Sequence, residues 1–435
     1  MINNVLKKIK DRTARVGIIG LGYVGLPLAV EFAEAGFNVL GFDISREKVK
    51  LINSGKSHID DVPDLRVEKL VKSGKLAATI DPKLLKKVDT ASICVPTPLS
   101  KTKDPDVSYI LAAVEWVRAY IHKDMLIILE STTYPGTTQD MILPILEESG
   151  LKVGRDFYLA FSPERVDPGN TKFTTKNTPR VVGGITPRCT KVAEAFYEQI
   201  LSMVVSMSST QAAETVKLLE NTFRSVNIGL VNEVALMCDR LGLNVWEIID
   251  AAATKPFGFM PFYPGPGLGG HCIPIDPHYL SWKLKSLNYY ARFIELAGDI
   301  NSHMPEYVVD RIRRLLNERG KSVRNSNILI LGVTYKRDIK DTRESPALDV
   351  IKLLEKEGAR LHYNDPYVPK IMWDKDAHRS SRLTPALMKK VDLTVVLTDH
   401  TSYNYQWIVD RSRLVFDTRN ATKMVTSGRE KISLL

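Results

Sequence analysis

Cysteine is scarce: four residues in a chain of 435, at positions 94, 189, 238 and 272, and none in a C-x-x-C pair. That spacing excludes a disulfide framework and a structural zinc site of familiar pattern, so reduced thiols are expected. Long apolar runs are missing as well. Nothing approaches the ~20 residues that a membrane helix needs, and residues 1–15 are polar and basic with no apolar stretch, unlike an export signal. No membrane insertion and a cytoplasmic location are expected. The formal charge of +10 is spread along the chain, without an Arg-rich tract, an RNA-binding signature or a helix-turn-helix pattern. This argues against nucleic acid and for a small anionic ligand.

What is present is an ordinary globular composition, 44% hydrophobic and 25% charged, in a chain too long for one core. Residues 15–19 (Arg-Val-Gly-Ile-Ile) read as a buried strand, Leu26 to Ala35 as an apolar helix closed by Gly36, and Phe37 to Phe42 as a second strand ending at Asp43. Ala91 to Val95 and Leu126 to Leu129 are further strands running into Thr- or Pro-rich loops, the alternation of a parallel α/β sheet. This first domain is expected to reach about residue 205. From Thr210 to Leu241, apolar residues at three- and four-residue steps predict one long helix. A Pro/Gly-rich stretch, Pro256 to Pro277, interrupts the helical pattern, which resumes and runs to about Leu316. Asn327 to Val333, a helix near Ala347 to Glu357, and strands at Leu393 to Leu397 and Leu414 to Phe416 then predict a second α/β domain.

Gly20-Leu-Gly22-Tyr23-Val24-Gly25 follows the first strand and opens the first helix. The early glycines allow a tight turn and a close approach of backbone to pyrophosphate, Gly25 lets helix and sheet pack, and free N–H groups at the helix start favour an anion. Asp43, about twenty residues on, suits a ribose diol and repels a 2′-phosphate, which favours NAD over NADP. Lys48 lies nearby. Thr97, within Cys94 to Pro98, and Ser131-Thr132 fall on loops at carboxyl ends of strands, where cofactor contacts are expected.

Cys272 sits in a glycine loop, Pro264-Gly-Pro-Gly-Leu-Gly-Gly-His271-Cys272-Ile-Pro-Ile-Asp276. A cysteine without context is usually a small core hydrophobe. Exposed glycine backbone, an adjacent His and a carboxylate four residues on suit a nucleophile instead. His271, Cys272, Asp276 and His278 have no familiar zinc spacing, and no metal is expected.

These segments, with Ser162-Pro-Glu164, the Lys217 and Asn221 pair, Tyr335-Lys336 and Asp341-Thr-Arg343-Glu-Ser-Pro346, resemble the UDP-glucose/GDP-mannose dehydrogenase family over nearly the whole chain. The resemblance implies two Rossmann-like doubly wound domains joined by a central helical domain with a long helix. The implied boundaries are 1–205 for NAD, 206–318 for the helical domain carrying Lys217, Asn221 and Cys272, and 319–435 for the UDP-sugar. It implies oxidation of a sugar C6 alcohol to a carboxylate with two NAD reduced, through a thiohemiacetal and a thioester on Cys272. Lys217 and Asn221, sharing a helix face, would serve the developing oxyanion. Glu164 matches the carboxylate that moves protons during hydrolysis, and Thr132 and Asp276 match residues that position water or tune the cysteine. Arg165, Arg224, Phe262, Tyr263, Gly265, Gly269 and Lys336 are implied sugar-nucleotide contacts, and Arg343 a contact near the nicotinamide. For Lys336 and Arg343, salt bridges with Asp338, Asp341 or Glu344 are the plainer alternative. One departure stands out: an acidic residue four positions after Glu164 in UDP-glucose enzymes is Pro168 here.

Pro261 to Pro277 and Ser162 to Gly169 resemble the UDP-N-acetylhexosamine subgroup more than the UDP-glucose one, placing UDP-N-acetylglucosamine first, its mannosamine epimer second and UDP-glucose third. A β-hydroxyacid dehydrogenase leaves the second α/β domain unexplained, and a non-catalytic nucleotide-sugar binder leaves Lys217, Asn221 and Cys272 without a purpose. The family also implies a homodimer or larger homo-oligomer built on the central helices.

Overall fold

A computed structural model describes the chain except Met1, Asp60, residues 99–103, residues 166–171, His271, Asp374 and Lys375. Pro168 and His271 therefore lie outside the described residues. The chain divides into two compact units, residues 1–220 with 278–289 and residues 221–277 with 290–435.

In the first unit, strands β1 (Arg15–Ile19), β2 (Asn38–Phe42), β3 (Leu76–Thr79), β4 (Thr90–Ile93), β5 (Leu126–Leu129), β6 (Tyr158–Phe161), β7 (Arg180–Gly184) and β8 (Val204–Met207) form one sheet. Its order is β3-β2-β1-β4-β5-β6-β7-β8. Neighbours are parallel except β6 and β7, which pair antiparallel. Helices α1 (Ile2–Lys10), α2 (Gly25–Glu34), α3 (Arg46–Asn53), α4 (Asp64–Lys72), α5 (Ser108–Tyr120), α6 (Leu143–Glu147) and α7 (Pro187–Tyr197) accompany it. The alternation of side chains across a strand is visible in β5: Leu126 and Ile128 join the core on one face, Ile127 and Leu129 the core on the other. All four are fully buried, each contributing about 1.5–3 kcal/mol of apolar burial. The fold therefore needs helices on both faces. Because β2 and β4 flank β1 on opposite sides, the strand order reverses at β1, and a crevice opens at the carboxyl ends there.

Helix α8 (Thr210–Leu241) spans the predicted residues and passes from one unit into the other. It is followed by α9 (Val245–Ala252), α10 (Asp276–Lys285) and α11 (Arg292–Asn317). The helical run expected from Pro277 onward is broken between α10 and α11, where Asn288 takes a left-handed backbone with φ of 56°. Asn tolerates that conformation, which no helix can continue.

The second unit holds β9 (Asn327–Leu331), α12 (Pro346–Lys356), β10 (Arg360–Asn364), β11 (Lys370–Trp373), β12 (Asp376–Arg379), α13 (Pro385–Lys390), β13 (Leu393–Val396), α14 (Tyr405–Arg411), β14 (Val415–Asp417) and β15 (Ile432–Leu434). Five strands make a parallel sheet, β10-β9-β13-β14-β15, while β11 and β12 form a separate antiparallel pair. The architecture is one mostly parallel and one parallel α/β sheet with a central helical region containing a long helix, as expected. Among the described residues no helix is long and apolar enough to cross a membrane.

Candidate active site

The glycine turn after β1 is shaped by contacts that no side chain would survive. Gly20 has φ of +90°, and a Cβ there would lie 2.6 Å from the Cys94 carbonyl oxygen. A Cβ on Gly25 would lie 1.8 Å from the Gly20 carbonyl oxygen, so the start of α2 touches the turn directly. Gly22, by contrast, has nothing within 4 Å of where its Cβ would be. That open backbone at a helix N-terminus is where a pyrophosphate can approach. Tyr23 is 48% exposed and Val24 is the N-cap residue of α2. At the end of β2, Asp43 is buried and its carboxylate accepts the N–H groups of Leu21 and Ser45, each at 2.9 Å. Lys48 Nζ stands 3.6 Å from it. The turn, the helix start and the acidic residue thus form one cradle, and the residues fit a dinucleotide.

Further loops meet at the same edge of this sheet. Ser131 follows β5 and donates its hydroxyl to the Val95 carbonyl at 2.8 Å, while the Thr97 carbonyl accepts the Tyr279 hydroxyl at 2.9 Å. Half-buried Thr132 is next in the chain. Buried Glu214, in the first turns of α8, closes this loop from its far end. It accepts the N–H of Gly136 at 2.6 Å and the N–H and hydroxyl of Thr138 at 2.9 and 2.7 Å. Burial dominates and pushes its carboxyl up to about 7.

Glu164 lies just past β6 and is salt-bridged to Arg180, which also binds Glu130. Its Oε1 accepts the Arg165 N–H at 2.7 Å. The Arg165 guanidinium pairs with Glu220 and donates to the Pro179 carbonyl at 2.7 Å.

In the second unit, Cys272 is half-buried and in no disulfide. Its carbonyl accepts the N–H groups of Ile275 at 3.0 Å and Asp276 at 2.8 Å, so the loop turns straight into α10. The Asp276 carboxylate accepts the side-chain N–H of Asn221, and the Arg224 guanidinium donates to the Asn221 side-chain oxygen Oδ1. Asn221, expected as an oxyanion donor and substrate contact, therefore also anchors Asp276. Half-buried Lys217 lies one turn earlier on α8.

The glycine loop rests on the C-terminal α/β region. A Cβ on Gly269 would meet the Tyr335 Cβ at 2.5 Å, and Gly270 donates its N–H to the Arg343 carbonyl at 3.2 Å. Gly265 donates to Asn232 at 3.0 Å, and a Cβ there would lie 2.5 Å from Arg419 Nη1. Phe262 packs edge-on against Phe223, and Tyr263 stacks on Trp246 and donates to Asp250 at 2.7 Å. The Arg343 guanidinium is paired with Asp341 at 2.6 Å, the salt-bridge partner foreseen as the plainer alternative. Half-buried Lys336 lies on the loop after β9, its carbonyl accepting the Thr334 hydroxyl at 2.8 Å.

Reading the sequence missed Glu130, Arg180, Glu214 and Arg419. Arg180 carries a signal of a kind, a lone charge opening the apolar run Arg-Val-Val-Gly-Gly. Its partners become visible only with the strand pairing.

Three family models cover the chain: the NAD binding domain of the UDP-glucose/GDP-mannose dehydrogenase family matches residues 14–201, its central domain residues 211–303 and its UDP binding domain residues 329–424. A UDP-N-acetyl-D-mannosamine dehydrogenase of Pyrococcus horikoshii is 36% identical over 94% of this chain and 96% of its own length. A UDP-N-acetyl-D-glucosamine 6-dehydrogenase of Salmonella typhi is 36% identical over 81% of this chain and 82% of its own. Among solved structures, a UDP-D-ManNAc dehydrogenase from Pyrococcus horikoshii superposes with a TM-score of 0.87 at 36% identity, covering 95% of this chain and 97% of that one. The chain belongs to the UDP-glucose/GDP-mannose dehydrogenase family and is an NAD-dependent UDP-sugar dehydrogenase.

Proposed function

We propose that the chain oxidises the C6 alcohol of UDP-N-acetylglucosamine to the uronic acid, a four-electron reaction through covalent intermediates on Cys272. The observation that carries the covalent part is the tie from the Cys272 backbone through Asp276 to Asn221, which holds the cysteine loop against a rigid helix. When bound in the glycine cradle, NAD supplies the hydride acceptor for each oxidation. Gly20, Gly22, Gly25 and Asp43 hold it, with Thr97, Ser131 and Thr132 at the crevice edge.

The residues divide the remaining work. Lys217 and Asn221, one turn apart on α8, stabilise the negative oxygen at C6. The sulfur of Cys272 adds to the aldehyde to give a thiohemiacetal, and the second oxidation leaves a thioester. Water then attacks the thioester carbon, its proton passes to Glu164, and the C–S bond breaks with the electron pair returning to sulfur. Lys336, Arg224 and the backbone at Gly265 and Gly269 meet the sugar nucleotide.

The choice of sugar rests on the loop from Pro261 to Pro277 and its likeness to the N-acetylhexosamine enzymes. A second reading, UDP-N-acetylmannosamine, is favoured by the relative of that name matching 94% of the chain. Purified protein with NAD and each of UDP-N-acetylglucosamine, UDP-N-acetylmannosamine and UDP-glucose decides it. The proposal predicts the highest kcat/KM for the glucosamine sugar; a higher value for either other sugar overturns that choice.

We further propose a homodimer built on α8. Phe223, Leu230, Met237 and Leu241 are exposed on this helix at steps of seven and four residues, an apolar stripe of the kind that seals helix pairs.

A further inference from the structure

Glu130, Glu164 and Arg180 bring three full charges together at the carboxyl edge of the first sheet. Glu130 directly follows β5, Glu164 follows β6, and Arg180 opens β7. Strands β6 and β7 pair Ala160 with Gly184 and Phe161 with Gly183. The same antiparallel offset carried three residues further sets Glu164 opposite Arg180. The guanidinium binds Glu164 through Nη2 and Glu130 through Nη1, the latter at 2.8 Å. It also lies 4.8 Å from the Tyr197 ring centroid, and the Tyr197 hydroxyl donates to the second Glu130 oxygen at 2.7 Å.

The side chains of Arg180 and Glu130 are 4% and 0% exposed, that of Glu164 13%. Burying an ion costs several kcal/mol, which pairing at best offsets, so packed apolar side chains would stabilise this edge about as well. The arrangement is also asymmetric. Glu130 is spent on the arginine and the tyrosine and is closed to water, whereas Glu164 keeps access to it. Burial pushes the Glu130 carboxyl and the neighbouring Cys94 thiol up; the Arg180 charge opposes this at both, joined at Glu130 by the Tyr197 hydrogen bond.

We infer that Arg180 is a positioning residue: anchored by Glu130 and Tyr197, it fixes the Glu164 carboxylate in the orientation that takes the proton of the hydrolytic water. This rests on the reading that Glu164 serves thioester hydrolysis. Arg180 itself touches neither sugar nor cofactor in this role. It acts on one step only, after both oxidations are complete.

The test is rapid-quench kinetics on full-length Arg180→Lys, Glu130→Gln and Glu164→Gln proteins with saturating NAD and UDP-N-acetylglucosamine, or the mannosamine epimer if that is the sugar turned over. Arg180→Lys is expected to give a burst of two NADH per site, then a steady state slowed about 100-fold. Glu130→Gln is expected to do the same with a slowing of about tenfold. In both, intact-protein mass should show the acyl group on Cys272, and KM for the sugar should fall in step with kcat, so that kcat/KM changes less than about twofold. A burst that shrinks in step with the steady rate, with no acyl-enzyme, would mean a purely structural role and overturn the inference. Glu164→Gln separates the two layers. If it accumulates acyl-enzyme while the other two do not, Arg180 loses its role; if it does not accumulate, the reading of Glu164 fails first.

Discussion

Asn221 donates its side-chain amide to the Asp276 carboxylate, and both residues are 2% exposed. Since the Asp276 N–H also binds the Cys272 carbonyl, one carboxylate residue couples the loop of the cysteine to helix α8. Asp276→Ala strips Asn221 of its acceptor and loosens the loop. Leaving a buried donor unsatisfied costs about 1–3 kcal/mol, and a displacement of about 1 Å at the reacting centre costs about 100-fold in rate. A lowered kcat of that size with a modestly lower Tm is expected; wild-type turnover would contradict the coupling.

Asp43 gives a separate handle on the cofactor. Its carboxylate already orders the glycine turn through Leu21 N–H, so its loss removes both that bond and the ribose acceptor. A hydrogen bond to a charged group contributes about 1.5–3 kcal/mol, so Asp43→Ala should raise KM for NAD by roughly 10- to 100-fold. Direct NAD titration by calorimetry checks this apart from turnover. An unchanged Kd would place the ribose elsewhere.

The glycine cradle was legible in the sequence because its determinants are local: strand, turn, helix and acid lie within one βαβ stretch, from Arg15 to Asp43. Helix α8 was legible because 32 residues of one period leave few alternatives. Strands β6, β7 and β8 were not read, and β7 is where the sheet turns antiparallel. Their short apolar runs carry no period of their own, and their pairing is set by tertiary contacts. The Glu130–Arg180–Glu164 cluster was lost with them, since its members are 16 and 50 residues apart in sequence. Asn288 shows the converse, a local residue preference interrupting a helical pattern that looked continuous.

Glu214 predicts a pH dependence of stability. Its carboxyl is raised from 4.5 to about 7 by burial, so the folded chain holds this proton more tightly than the unfolded chain does. The stabilisation is therefore complete below pH 4.5 and is lost as pH rises through about 7. A shift of that size corresponds to about 3 kcal/mol. Melting curves between pH 4.5 and 8 should show Glu214→Gln with a flatter fall in Tm than wild type. Parallel curves would assign the slope to other groups.

The stripe on α8 predicts that Leu230→Glu shifts the chain to monomer in sedimentation velocity, while the circular dichroism of the folded chain is retained. Leu230 is 54% exposed within one chain, so a charge there costs the fold little. A wild-type chain that is already monomeric would overturn the dimer proposal.

The central claim is four-electron oxidation through Cys272, and the stoichiometry of NADH tests it most directly. With limiting UDP-N-acetylglucosamine and excess NAD, two NADH per sugar are expected from the wild type, and no uronic acid from Cys272→Ala. One NADH per sugar with an accumulating aldehyde, or undiminished uronic acid from Cys272→Ala, would contradict it.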